Sequence, residues 1–260
     1  MKTPERSAQP TLTRILEEAW SYSQAKKPFL AVFDLDSTLF DLTLRVSAIV
    51  DEFAETAINQ ARFPQECLEL KRIEILTSDW GLEGPVERIG LRTDSAFFKT
   101  LNEYWAECFF SNEYLAHDEP LPGAVEYVQE LHLSGAHIMY LSGRDIPRMA
   151  IGTETSLREH HFPLASDSAE IVLKPRGDMD DAYFKLDVLK EAQRRYGRIW
   201  LFENEPVNLN LIGRQCPEIG LVFIESTHSG REQLQRTLSS IRHFEADLSE
   251  FRELKKAPKI

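Results

Sequence analysis

The sequence predicts an α/β fold in which helices cover both faces of a parallel sheet. Five apolar runs do not alternate with polar residues, which is typical of strands buried on both faces. Helical patterns separate successive runs, and strands that alternate with helices form parallel sheets. The predicted strands span 28–34, 136–142, 169–174, 198–203 and 219–224.

Helices are expected beside and between these strands. Apolar residues recur at helical spacing in 11–24, 182–196 and 230–242. A further helix should begin near Pro122, because proline suits a first helical turn, and stop near Gly135. These helices would supply the layers on the two faces of the sheet.

One region interrupts the alternation, because roughly a hundred residues separate the first two predicted strands. Within it, apolar residues keep helical spacing twice, and Asp94 is the expected cap of the second helix. The sequence therefore predicts a helical cap at 43–117, inserted into a core formed by 1–42 and 118–260. The second helix carries an aromatic stripe that we interpret, on burial grounds, as core of this cap. The stripe consists of Phe97, Phe98, Leu101, Tyr104, Trp105 and Cys108.

Charge and cysteine content exclude several classes of protein. The formal net charge is −12 and no basic run stands out, which argues against a generic nucleic-acid or anionic-membrane surface. Cys67, Cys108 and Cys216 show neither metal-ligand spacing nor a disulfide framework, so we expect a cytoplasmic protein. The N-terminal residues lack an apolar region and no stretch approaches ~18 apolar residues. Neither a signal peptide nor a membrane-spanning helix is expected.

Polar residues close four of the predicted strands: Asp34, Ser142, Lys174 and Glu203. The carboxyl ends of parallel strands meet at one edge of a sheet, and ligands bind there. We therefore expect these four side chains to converge on one crevice.

The stretch FLAVFDLDSTLFD, residues 29–41, ends a buried strand with two aspartates. A carboxylate can attack phosphorus and form an acyl phosphate, but it cannot also protonate the leaving group. A second acid two residues further on, in this case Asp36 after Asp34, could do so. A divalent cation would let the anionic nucleophile approach an anionic substrate, and hard oxygen ligands favour Mg²⁺.

Four segments together resemble the motifs of the haloacid dehalogenase (HAD) superfamily, in the right order. FDLDSTL is similar to its first motif, and LSGRD at 141–145 to its second. GDMDDAYFKLDVL at 177–189 resembles the third, and WLFENEPVN at 200–208 the fourth. The resemblance implies a HAD-like Rossmannoid core, with a mostly helical cap inserted after the first motif.

The resemblance also implies catalytic roles. Asp34 would be the nucleophile, and Asp36 would act first as general acid and then as general base. Lys185 would neutralise charge beside Asp34, although Lys174, at the end of the third strand, is a competitor for this role. Ser142 would hydrogen-bond the transferring phosphoryl group.

Three further residues are assigned to the phosphate or substrate. Thr38 would fix the turn or touch the phosphate through its backbone. Gly143 lies within the second motif. Arg144 would either contact the substrate or pair with an acid, and the sequence leaves both options open.

The resemblance implies an Mg²⁺ site formed by Asp34, the backbone carbonyl of Asp36 and Glu203. Two features depart from the family pattern. Ser37 replaces the usual glycine, and Glu203 with Asn204 replaces the usual pair of aspartates. A longer carboxylate and a neutral amide predict weaker metal binding than two aspartates would give.

These features predict a Mg²⁺-dependent phosphohydrolase that acts on a small phosphorylated substrate through an aspartyl-phosphate. Two alternatives stay open from the sequence, a phosphomutase and a non-catalytic HAD-like binding or regulatory protein. The third-motif segment is also similar to that of phosphatases acting on nucleic-acid ends, which the net charge of −12 disfavours.

Overall fold

The structure, a computed structural model, describes residues 9–164 and 167–256. Its strands agree closely with the five predicted from apolar runs, and three short strands are added. The strands are Phe29–Phe33 (β1), Phe40–Asp41 (β2), Glu119–Pro120 (β3), His137–Asp145 (β4), Ala169–Lys174 (β5), Arg198–Glu203 (β6), Gly220–Ile224 (β7) and Ser239–Ile241 (β8).

Six of these strands form one parallel sheet in the order β5-β4-β1-β6-β7-β8. The central strand β1 alternates between two apolar clusters. Phe29, Ala31 and Phe33 join the cluster on one face, while Leu30 and Val32 join the cluster on the other. Burial on both faces explains why the sequence of β1 is a continuous apolar run. The predicted α/β fold is confirmed.

Helices account for most of the remaining chain, and they lie on both faces of the sheet and in the segment between β2 and β3. They are Gln9–Gln24 (α1), Thr43–Glu55 (α2), Ala57–Arg62 (α3), Pro64–Leu70 (α4), Glu83–Arg88 (α5), Ala96–Phe109 (α6), Ala124–Leu133 (α7), Ile146–Glu159 (α8), Asp181–Ala192 (α9), Pro206–Gln215 (α10) and Ser249–Lys256 (α11).

Residues 43–117, here called the helical insert, contain α2 to α6 and a short 3-10 helix at Glu113–His117. The insert has an apolar cluster of its own, in which Phe53, Phe97 and Leu101 are buried. The chain enters and leaves it through the antiparallel pair β2–β3, where Asp41 lies opposite Glu119. The assignment of the insert as a separate cap domain stays a prediction.

Three local predictions were wrong. Residues 230–242 are not a helix, because this segment runs as a loop into β8, where Ile241 is buried beside β7. Pairing with the sheet edge therefore overrides helix propensity. Ser95, not Asp94, caps α6, since its side chain accepts a hydrogen bond from the Phe98 amide. Helix α7 begins only after Gly123, so Pro122 precedes its first turn.

No helix in the described ranges 9–164 and 167–256 combines the length and apolar character needed to cross a membrane.

Candidate active site

A cavity of about 650 Å³ lies between the carboxyl ends of the central strands and the helical insert. Seven of the residues predicted for the site line it, and both parts of the chain contribute to its walls. The seven are Asp34, Asp36, Ser142, Gly143, Arg144, Lys185 and Glu203. The topology therefore brings together side chains that are as much as 169 positions apart in the sequence.

A tight turn after β1 presents the two aspartates to this cavity. The Asp34 amide donates to the Phe202 carbonyl at 3.0 Å, which continues the pairing of β1 with β6. Ser37 then adopts φ 59°, in the left-handed region that glycine reaches without steric cost. Serine therefore holds a conformation that is more often reached by glycine.

Asp34, Lys185 and Glu203 form a buried group that we call the lysine triad. Lys185 Nζ donates to Asp34 Oδ1 at 2.6 Å and to Glu203 Oε2 at 2.7 Å. All three side chains are at most 7% exposed. The triad carries one more negative charge than positive charge, which is costly in a buried site unless a cation or a proton compensates.

The pKa directions in the lysine triad reflect this imbalance. Burial, reinforced by the neighbouring Glu203 charge, raises the pKa of Asp34 to about 7 despite the contact with Lys185. Burial alone would lower the pKa of Lys185, but attraction to Asp34 and Glu203 outweighs it and raises that pKa. Lys185 therefore stays charged, and one further positive charge beside Asp34 would favour its ionised form.

Asp36 belongs to a second group, the arginine quartet, which consists of Asp36, Arg45, Asp118 and Arg144. Arg144 Nη2 lies 2.6 Å from Asp36 Oδ1 and 2.7 Å from Asp118 Oδ2. Arg45 Nη2 lies 2.8 Å from Asp36 Oδ1, and Arg45 also makes two hydrogen bonds to the Asp118 carboxylate. Two cations thus balance two carboxylates, and Arg144 pairs with an acid, one of the two options left open by the sequence.

In contrast to the lysine triad, the arginine quartet lowers the pKa of its partly exposed carboxylate, Asp36. Burial by itself would raise the pKa of Asp36, but Arg144 and then Arg45 outweigh burial and lower it. The Asp36 side chain is 28% exposed, whereas Asp118 and both guanidinium groups are buried. Asp36 is therefore the most exposed member of the quartet, and it is held ionised.

Lys174 occupies a different place from Lys185. Its Nζ donates to Asp181 Oδ1 at 2.5 Å and to the Met179 carbonyl at 3.1 Å, so it ties down the loop that precedes α9. A Cβ added to Gly143 would lie 2.6 Å from the Asp181 carboxylate, so glycine allows this loop to pack closely. Of the two candidate lysines, only Lys185 contacts Asp34 in the described residues.

Ser142 and Thr38 are less accessible than expected. Ser142 lines the cavity, but it is 1% exposed and its Oγ accepts from the Arg144 amide at 3.3 Å. Thr38 is fully buried and does not line the cavity. Its hydroxyl donates to Asn204 Oδ1 and its amide to the Leu35 carbonyl. The structure thus places the Thr38 side chain within the turn, and its role toward a phosphate stays a prediction.

The fourth-motif loop supplies oxygen atoms next to the lysine triad. Glu203 accepts from the Asn204 and Glu205 amides through Oε1, and from Lys185 and Asn208 through Oε2. Asn208 Oδ1 is buried and has no hydrogen-bond donor in the described part of the chain. The same described residues contain no group of three or more His, Cys, Asp or Glu side chains arranged to hold a metal.

These donors nevertheless fit Mg²⁺. Proteins hold this ion through oxygen atoms, often with only one or two carboxylates and several retained waters. Asp34 and Glu203 carry an uncompensated negative charge, and Asn208 Oδ1 is an acceptor without a donor among residues 9–164 and 167–256. The charge imbalance and the orphaned oxygen are both features that a divalent cation would satisfy.

Sequence reasoning missed two residues of the site, Arg45 and Asp118. They are 73 positions apart, Arg45 near the start of the helical insert and Asp118 directly after it, and both are fully buried. One signal was present, since Arg45 interrupts the apolar face of α2 beside Val46 and Ile49. A buried arginine requires an acidic partner, but the sequence could not say which one.

Comparisons with known proteins identify the class of fold. No protein-family model and no curated protein matches this chain. A solved structure from Clostridium difficile, assigned as a phosphatase, aligns with a TM-score of 0.52 at 12% identity, covering 88% of this chain and 98% of the other.

Two further structures are similar to a lesser degree. A haloacid dehalogenase-like hydrolase from Bacteroides fragilis aligns at 14% identity and TM-score 0.48, covering 84% of this chain and 98% of the other. A protein from Haemophilus somnus assigned as a phosphoglycolate phosphatase aligns at 12% identity and TM-score 0.46, covering 87% and 97%. The similarity to the Clostridium difficile structure shows a shared α/β fold, a parallel sheet flanked by helices, as the sequence predicted.

Proposed function

We propose that this protein is a Mg²⁺-dependent phosphohydrolase that acts on a small phosphorylated substrate through an aspartyl-phosphate on Asp34. The observation that carries the proposal is the contact of Lys185 with Asp34 at 2.6 Å, on the floor of a cavity at the carboxyl ends of the sheet. The fold, shared with a structure assigned as a phosphatase, supports the same reaction class. The helical insert would then act as the cap over the substrate.

In the first step Asp34 attacks phosphorus. Lys185 holds Oδ1, so Oδ2 is the oxygen offered to the phosphoryl group. A bond forms between this oxygen and phosphorus while the bond between phosphorus and the leaving alcohol oxygen breaks. The ammonium group of Lys185 and the guanidinium of Arg144 place positive charge near the phosphoryl oxygens, and such fixed charge is the main catalytic contribution in phosphoryl transfer.

Asp36 would serve both steps. It gives a proton to the leaving alcohol, and it then takes a proton from the water that attacks the aspartyl-phosphate, which releases phosphate and restores Asp34. The arginine quartet keeps Asp36 ionised without substrate, which suits the second role. For the first role Asp36 must take up a proton as the substrate enters, when the anionic phosphoryl group competes for the same arginines.

Mg²⁺ would be held by Asp34, the backbone carbonyl of Asp36 and fourth-motif oxygens of Glu203 or Asn208. When bound, it supplies the positive charge that lets an anionic nucleophile approach an anionic phosphoryl group. The neutral Asn204 contributes no charge, and its Oδ1 accepts a hydrogen bond from Thr38.

A phosphate-release assay on a panel of small phosphomonoesters tests the proposal, with Mg²⁺ or with EDTA. The variants are Asp34→Asn and, as a matched control, Asp178→Asn, whose side chain is exposed on the turn before α9. We expect Mg²⁺-dependent release by the wild type and by the control, and background release by Asp34→Asn. Near-normal release by pure Asp34→Asn would overturn the assignment of the nucleophile.

A further inference from the structure

The aromatic stripe of α6 is divided between two environments. Phe97 and Phe98 are buried in the insert's own apolar cluster, whereas Trp105, near the end of the helix, lines the cavity together with Phe109. The rings of Trp105 and Phe109 pack with centroids 4.8 Å apart. Tyr104 and Trp105 also pack against this cluster, and Trp105 is the member of the stripe that lines the cavity as well.

The aromatic wall continues on both sides of Trp105. Phe110 packs edge-on against Phe109 and lies beneath the guanidinium of Arg148, 5.1 Å from the ring centroid. Across the cavity mouth, Trp80 lines the same space although it is 59% exposed. With Phe40, five aromatic side chains border this one cavity, and such a concentration of apolar surface is typical of a ligand-binding site.

The loop that carries Trp80 is held by ion pairs. Arg88 donates to both carboxylate oxygens of Asp79, at 2.7 and 2.6 Å, and to the Glu74 carbonyl. Asp79 also accepts from the Leu76 amide at 2.7 Å. Trp80 is therefore presented at the mouth of the cavity by a cross-linked loop, and its exposure does not come from a loose segment.

Acidic groups around the cavity are already engaged by the protein. Asp79 binds Arg88, Asp181 binds Lys174, and Glu205 accepts from the amide and hydroxyl of Ser229. Above the reacting carboxylates, the surface offered to a ligand is therefore chiefly apolar and aromatic.

We infer that the substrate is a phosphomonoester whose alcohol portion carries a planar aromatic ring. The phosphoryl group would lie at Asp34 and the ring against Trp105, Phe109 and Trp80. A cavity of about 650 Å³ is far larger than a phosphoryl group and is in the range of pockets that enclose a whole small ligand. The inference rests on the proposed function and specifies its substrate class.

Binding to the Asp34→Asn protein tests the inference without requiring turnover. The probes are 1-naphthyl phosphate and glycerol 3-phosphate, titrated calorimetrically in Mg²⁺ buffer. We expect the aryl ester to bind at least about tenfold more tightly, because aromatic contacts add to the phosphate contacts that both esters share. Adding Trp105→Ala or Trp80→Ala should weaken the aryl ester about tenfold and leave glycerol 3-phosphate unchanged.

Leu68→Ala is the matched control, because Leu68 is 62% exposed on the insert and does not line the cavity. Circular dichroism checks the fold of each variant. If Trp105→Ala unfolds the protein, Trp80→Ala still tests the inference, because Trp80 is exposed and its removal leaves the core intact. Equal affinity for the two esters, or equal weakening of both by the tryptophan variants, would overturn the inference. Phosphatase activity without ring preference would contradict this inference and leave the proposed function standing. Ring-dependent binding without turnover by the wild type would contradict the proposed function and leave the ring site standing.

Discussion

Asp34 in the lysine triad and Asp36 in the arginine quartet are only two residues apart, yet their surroundings shift their pKa values in opposite directions. Asp34 shares one lysine with Glu203, whereas Asp36 shares two arginines with Asp118. The pKa of Asp34 is accordingly raised to about 7 by burial and by Glu203, while the arginines lower the pKa of Asp36.

The difference shows how the substrate and metal would complete the site. A nucleophile needs its ionised form, and an acid that protonates a leaving group needs its neutral form. Without ligands, the protein instead favours the neutral form of Asp34 and the ionised form of Asp36. Under the proposed function, a cation beside Asp34 would lower its pKa, and an anionic phosphoryl group near Arg144 would raise that of Asp36. The ligands would therefore move both groups toward their working states.

The largest effect should come from removing the cation of the lysine triad. Lys185→Ala leaves two buried carboxylates unpaired, so we expect turnover at assay background and a loss of ~3–5 kcal/mol in the free energy of unfolding. Lys174→Ala should retain most activity, because Lys174 pairs with the partly exposed Asp181. Phosphate release and urea unfolding measure the two quantities. A larger loss of turnover in Lys174→Ala would transfer the catalytic role to that residue.

Replacing the carboxylate of the arginine quartet should have the next largest effect. Asp36→Asn removes the proposed acid and base, so turnover should fall by ~10²–10⁴-fold. Rapid-quench kinetics should show that both formation and hydrolysis of the phospho-enzyme are slower. The exposed Asp178→Asn protein serves again as control. An unchanged rate in both steps would exclude Asp36 from proton transfer.

The metal dependence tests the uncompensated charge of the lysine triad. Glu203→Gln removes that charge, so the Mg²⁺ concentration for half-maximal activity should rise by ~10–100-fold, as for other groups that support a metal ligand. Glu205→Gln is the matched control, because Glu205 caps α10 and binds Ser229. It should change the Mg²⁺ dependence little. The reverse ranking would shift the alignment of the fourth motif by two residues.

The smallest expected effect is on the pH dependence of the free energy of unfolding, to which Asp34 and Asp36 should contribute with opposite signs. Because the folded pKa of Asp34 is raised above its ordinary 3.8, its contribution to stability should decrease as pH rises from about 4 to about 7. The folded pKa of Asp36 is lowered, so its contribution is present above 3.8 and is lost as pH falls below that value. Each slope is at most ~1.4 kcal/mol per pH unit.

Urea unfolding in EDTA, across this pH range, measures both slopes. Asp34→Asn should abolish the decrease between about pH 4 and 7, and Asp36→Asn should reduce the loss at acid pH. The comparison between the two environments would be wrong if both variants retained the wild-type pH profile.

The core of the fold was predictable because its strands are buried on both faces. Continuous apolar runs such as 198–203 leave little doubt about strand identity, and β6 has those same bounds. The segment 230–242 failed because its apolar spacing also fits a loop: Leu234 and Leu238 pack against the sheet cluster without forming a helix. The local sequence does not reveal that the edge of β7 is open for pairing with the strand that contains Ile241.

The site was predictable where a motif defines the chemistry and unpredictable where packing does. Asp34 and Glu203 close strands, so their convergence followed from sheet topology. Lys174 ends β5 and Lys185 lies in α9, so both were candidates. Only the direction of each side chain in the structure distinguishes them. The pairing of Arg45 with Asp118 depends on how the insert folds, and no local pattern encodes a contact across 73 positions.

The pair β2–β3 makes the helical insert an excursion that starts and finishes at one point of the core. Asp41 and Glu119 are cross-strand neighbours although 78 positions separate them. Antiparallel strands can be joined by a two-residue hairpin, so a shortened chain could pass from Asp41 to Glu119 through a tight turn. The insert is therefore modular in its connectivity but not in its chemistry, since the same excision would remove both Arg45 and Asp118 from around Asp36.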